Sequence, residues 1–125
     1  MKKFFLTLIC LASVLFAAAP TCHKSSAYNY CRYVGKVEQV YISNGNAILI
    51  YIDTPLDVNL ANSNGLAATK SDAILLRVND SNKVFSDYFY SMALTALTAN
   101  KKVMIQMKDV SGGYLVADRI WIHKD

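Results

Sequence analysis

Chemically versatile residues are scarce in this chain. Its three cysteines are Cys10, Cys22 and Cys31, and none follows. Its two histidines are His23 and His123. Structural zinc needs clustered cysteine, histidine or carboxylate ligands, and no such cluster is spelled out. Serines and aspartates are plentiful, but nothing groups them with a histidine, and there is no nucleophile-elbow pattern. The sequence is therefore read as non-catalytic, with no cofactor. Repeats, low-complexity tracts and internal linkers are also missing, which leaves one domain. Positive charge is scarcer than it first looks. The net charge of +4 includes Lys2, Lys3 and Lys24; without residues 1–27, ten basic residues face nine acidic ones, a balance of +1. That gives no electrostatic case for nucleic acid.

The one long apolar run is N-terminal. MKKFFLTLICLASVLFAAAP has two lysines, an apolar stretch over 4–16 and small residues at 17–19. This is the layout of a secretory signal peptide, too short to span a membrane. The chain is expected to be secreted or periplasmic, with no transmembrane segment after signal removal. Two cleavage sites fit the small-x-small pattern, one after Ala19 and one after Ala27. The first leaves Cys22 and Cys31 free to pair in an oxidising compartment. The second leaves Cys31 alone. Lipid attachment at Cys22 would need a better lipobox than Ala19-Pro20-Thr21.

The rest is expected to form one domain over 28–125. Residues 33–42 (YVGKVEQVYI) read as a strand whose alternation slips, since Val37 and Val40 have opposite parity; Gly35 or a bulge would explain it. Asn44-Gly45 signals a hairpin into a second strand over 47–53 (AILIYID). That strand is apolar on both faces, so two coverings are expected, one of them a neighbouring subunit. Residues 54–70 read as a long polar loop, with a short strand at 58–60. A third strand covers 73–78 (AILLRV), apolar but for Arg77. Residues 79–82 make a turn that caps a helix over 83–99. Phe85, Phe89, Met92, Ala93, Ala96 and Leu97 share one helical face as core or interface. Asn100 suits a left-handed C-terminal stop, and Lys101 and Lys102 complement the helix dipole. Strands over 103–108 and 114–123 flank a turn at 109–113. The order β-β-β-α-β-β is that of an OB-fold, a mainly β, five-stranded Greek-key barrel with one helix.

Candidate binding residues are few. Arg119, Trp121 and His123 share a face of the last strand, where an indole and a guanidinium could form a sugar platform. Arg77 is the one charge in its strand. The bland alternative makes Trp121 core or interface and Arg119 a solvated side chain. Tyr28, Tyr30 and Tyr33 crowd the N-terminal end, as an arm packing on a neighbour or as part of a ligand site. Asp57, Asn59, Asn62 and Asn64 offer oxygens, but not at EF-hand spacing, and read as a solvated loop.

The stretch FxxxFYSMALTALTANKKVMIQM, which runs from a helix into a strand, and the later VADRIWI resemble the B subunits of bacterial AB5 toxins of the pertussis-like and subtilase-cytotoxin-like branch. CRYVGKVEQVYI also resembles small exported bacterial proteins of unassigned function. The toxin resemblance implies an OB-fold, a ring-shaped homo-oligomer (often a pentamer), a host glycan as ligand and a partner A subunit. One departure stands out: those subunits carry a disulfide within the barrel, and this chain has no cysteine after Cys31. Two function classes follow, a ring-forming glycan-binding module or a monomeric periplasmic accessory or inhibitor-like protein.

Overall fold

A computed structural model describes residues 21–122 and Lys124. The expected signal segment up to residue 20, with the Ala19 cleavage site, and His123 lie outside the described residues. The chain is mainly β. Its elements are β1 (Thr21–Lys24), β2 (Asn29–Ser43), β3 (Ala47–Ile52), α1 (Val58–Ser63), β4 (Ala73–Arg77), α2 (Lys83–Ala99), β5 (Lys102–Ser111) and β6 (Tyr114–Ile122).

Two expectations need correction. Among the described residues there are two helices rather than one, because the segment expected as a short strand at 58–60 forms α1. Asp57 decides this locally: its carboxylate accepts from the Leu60 amide at 2.9 Å, an N-cap that starts a helical turn. The described residues also form six strands rather than five, because β1 adds to the start of β2.

All six strands join one sheet in the order β1-β2-β3-β4-β6-β5, and β2 also pairs with β5. The long β2 makes this geometry. Its first half pairs with β5 through Cys31–Met107 to Lys36–Lys102, and its second half pairs with β3 through Val37–Ile52 to Ser43–Ala47. The β4–β6 pairing is parallel, and the other strand pairings are antiparallel. Each of β2 to β6 therefore has a neighbour on both sides.

Alternation builds the core. Cys31, Tyr33 and Val37 of β2, Ile48, Ile50 and Ile52 of β3, and Val103, Ile105 and Met107 of β5 point to one interior. The register slips between Val37 and Gln39, which turns both Val37 and Val40 toward the core and explains their opposite parity. The β2–β3 turn is a three-residue loop in which Asn46, at φ 59°, supplies the left-handed position rather than Asn44 or Gly45.

Helix α2 covers the interior from β2 across to β5 and β6. Phe89, Ala93 and Ala96 are fully buried, with Phe85, Tyr90 and Leu97 packed beside them. Met92 is only half-buried, and Ser86 takes a buried place, so the buried stripe is rotated from the expected one. Asn100 stops the helix in the left-handed region at φ 53°, ψ 44°, as expected, and its amide reaches back to the Ala96 and Leu97 carbonyls.

The outward face of β3 and β4 is apolar as well. Leu75 and Ala73 are buried yet lie outside the core cluster. Leu75 pairs with Leu49 and with Val116, and Ala73 with Tyr51. Leu49 and Tyr51 are half-buried, and Tyr41, opposite Leu49, is exposed.

Candidate functional site

A cleft of about 640 Å³ opens between the turn leading into α2 and the β5–β6 hairpin. Three local structures shape it. The turn is locked by its own side chains: Asn79 Oδ1 accepts from the amides of Ser81 and Asn82, and the Asn82 side chain donates to the Arg77 carbonyl at 2.6 Å. Asn82 stands at the helix N-cap but makes no capping bond there; its oxygen accepts from the Asn79 amide at 2.8 Å instead. The hairpin closes through Gly112 and Gly113, both at positive φ, and the Gly113 carbonyl accepts from the amides of Thr69 and Lys70. The third structure is a bulge in β6, where the pairing jumps from Gln106–Arg119 to Met107–Ala117 and leaves Asp118 unmatched.

These structures bring together a mixed set of groups. Arg77 ends β4 and donates from Nε to Ser111 Oγ at 2.8 Å, tying the strand end to the hairpin. Lys108 and Asp109 come from β5 and are exposed. Asp118 Oδ2 accepts from Gln106 Nε2 at 3.4 Å and lies 3.7 Å from Arg119 Nε, while its Oδ1 is buried without a partner. Phe85, tilted against Phe89 with ring centroids 5.9 Å apart, and Val116 give the cleft its apolar wall. Cations, carboxylates and hydroxyls thus stand around an aromatic surface, a donor and acceptor set suited to a polyhydroxylated ligand.

The residues expected to bind a ligand separate in space. Arg77 lines the cleft; Arg119 and Trp121 do not. Trp121 instead faces Arg32, whose guanidinium carbon is 5.9 Å from the indole centroid and 5.3 Å from that of Tyr30. The sequence reading missed Arg32. The available signal was parity, since Tyr30 and Arg32 alternate with the buried Cys31 and Tyr33.

No family model matches this chain, and no curated protein or solved structure matches it.

Cys22 and Cys31 face each other across β1 and β2 and form a disulfide with a Cα separation of 4.0 Å. Tyr33 crosses the interior so that its hydroxyl donates to the Asp53 carboxylate, passing over Gly35, where any Cβ would collide with both groups. Burial, reinforced by the Asp53 hydrogen bond and charge, pushes the Tyr33 hydroxyl far above the usual tyrosine range. Both features serve the fold. Among the described residues, no group of three histidines, cysteines or carboxylates could hold a metal ion, and no helix is long and apolar enough to cross a membrane.

Proposed function

We propose that this chain is an exported, non-catalytic binding module of OB-fold type, that its cleft takes a glycan, and that it works as a ring of identical copies. The barrel reading rests on the strand pairings: β2 meets both β3 and β5, and β4 runs parallel to β6, as an OB barrel requires. The observation that carries the ligand reading is the cleft wall, where Arg77, Lys108, Asp109 and Ser111 stand around Phe85. A sugar offers hydroxyls to such groups and C–H surface to such a ring. Assembly is supported by the outward apolar face of exposed Tyr41 and half-buried Leu49 and Tyr51, which lie outside the core cluster. Export is supported by the Cys22–Cys31 disulfide, which belongs to an oxidising compartment and favours cleavage after Ala19.

A glycan array probed with the mature protein tests the ligand. Binding of defined oligosaccharides is expected, weakened about tenfold or more by Arg77→Gln, which removes the cleft's guanidinium fork. Light scattering tests the assembly, with a mass of several protomers expected. A monomer that retains no glycan above background would sink this reading and leave the monomeric accessory protein.

A further inference from the structure

The outer face of β2, β5 and β6 carries a feature that shares only Lys108 with the cleft. Across these strands Arg32 pairs with Gln106, and Gln106 with Arg119, alternating with the core row of Cys31, Met107 and Ala117. On this face cations and rings form one ladder. Lys108 Nζ lies 5.3 Å from the Tyr28 centroid, and the Tyr28 and Tyr30 rings are 5.7 Å apart. Arg32 then sits between Tyr30 and Trp121 at 5.3 and 5.9 Å.

Arg32 is held but not neutralised. Among the described residues its side chain makes no hydrogen bond or ion pair, and its Nε is buried without a partner. A buried donor left unpaired calls for an explanation. Asp118 on this side engages Gln106 and Arg119 through Oδ2, and no ion pair joins it to Arg32 among the described residues. The two terminal nitrogens of Arg32 are neither buried nor bonded, so they reach solvent. Flanking rings attract a guanidinium to their faces and fix its rotamer before any ligand arrives. A cation fixed in advance binds an oxyanion with little further loss of side-chain entropy. Lys108 sets a second cation beyond the two tyrosines, which places two positive groups along one aromatic surface.

We propose that this ladder is an anion-binding site, adjoining the cleft at Lys108, for a polysaccharide carrying sulfate esters or carboxylates on successive sugars. Arg32 holds one anionic group through its terminal nitrogens and Lys108 holds the next, while the edges of Tyr28 and Trp121 meet the sugar rings. This goes beyond the cleft reading and does not depend on it, since the ladder needs neither Arg77 nor Phe85.

The test is retention of the mature protein on immobilised heparin, dextran sulfate, hyaluronate and neutral dextran, eluted with salt. Retention on dextran sulfate alone would identify sulfate as the bound group, and retention on hyaluronate would identify carboxylate; either supports the proposal. Affinity is expected to fall about tenfold in Arg32→Gln and severalfold in Lys108→Gln, and to be unchanged in the charge-matched Lys83→Gln. Arg32→Lys, which keeps the charge but not the fork, should fall between. If Arg32→Gln fails to fold, Lys108→Gln carries the test, because Lys108 is exposed. The proposal is overturned if the wild type passes through the charged resins at low salt, binds neutral dextran equally, or elutes at the same salt as both variants. Arg77→Gln should keep its polyanion retention. A protein that binds array glycans through the cleft but ignores polyanions would lose this inference and keep the earlier one.

Discussion

Single residues carry more of this fold than their chemistry announces. Tyr33 is 1% exposed, and its hydroxyl donates to Asp53 across Gly35. Tyr33→Phe keeps the ring and deletes the donor, so a loss of about 1–2 kcal/mol in urea unfolding is expected. The same residue sets a pH dependence. Its folded pKa lies above the unfolded value of 10.0, so the folded state holds its proton longer than the unfolded chain does. Its stabilising contribution is therefore complete below pH 10.0 and declines as pH rises beyond it. Urea midpoints of wild type and Tyr33→Phe should run parallel below that pH and converge above it; parallel behaviour throughout would refute the assignment. The sequence marks Tyr33 as the start of a strand and as one of three crowded tyrosines, with no sign of this bond. Its partner stands 20 residues away, a neighbour that alternation along a strand does not reveal.

At the scale of elements, local signals worked where the chain's own neighbours decide the outcome. Helix α2 runs from Lys83 to Ala99, the limits read from apolar spacing and its stop signal. That stop is testable. Asn100→Ala forces a Cβ-bearing side chain without a compensating amide into the left-handed region and should cost about 1 kcal/mol, while Asn100→Gly should be neutral or slightly stabilising. Equal melting temperatures for the two variants would argue against strain at this cap. The reading failed in the loop before β4, where Val58-Asn59-Leu60 has the alternation of a strand but Asp57 caps a helix. It also rotated the buried stripe of α2. Ser86 tolerates burial because its hydroxyl donates to the Asn82 carbonyl at 2.9 Å, so a polar residue joins Phe89, Ala93 and Ala96 on the buried stripe while Met92 is only half-buried.

For the whole molecule, the deciding contacts join distant segments. The disulfide secures β1 to β2 over a separation of nine residues, and Cys31 is buried in the core. Reduction should lower the unfolding free energy by roughly 2 kcal/mol through the entropy returned to the unfolded chain. Denaturation curves with and without dithiothreitol measure this; coincident curves would mean that β1 is held by its backbone pairings alone. The same scale governs the candidate sites. Arg77 comes from β4 and Lys108 from β5, and they meet at one cleft because the hairpin folds back against the end of β4. Trp121 meets Arg32 rather than standing with Arg119 alone, because β2 and β6 flank β5 and their outward side chains meet across it.

The sequence by itself determined the mainly β class, the strand and helix order from β2 onward apart from α1, the limits of α2 and the left-handed stop at Asn100. These follow from interactions within a few residues, which periodicity and turn chemistry report directly. It left the fate of Cys22 open between two cleavage sites. Only the tertiary structure decided the β2–β5 pairing, the parallel contact of β4 with β6, the place of β1 and the company each arginine keeps. Those depend on register between strands far apart in the chain, and a shift of one residue there would send every side chain to the opposite face.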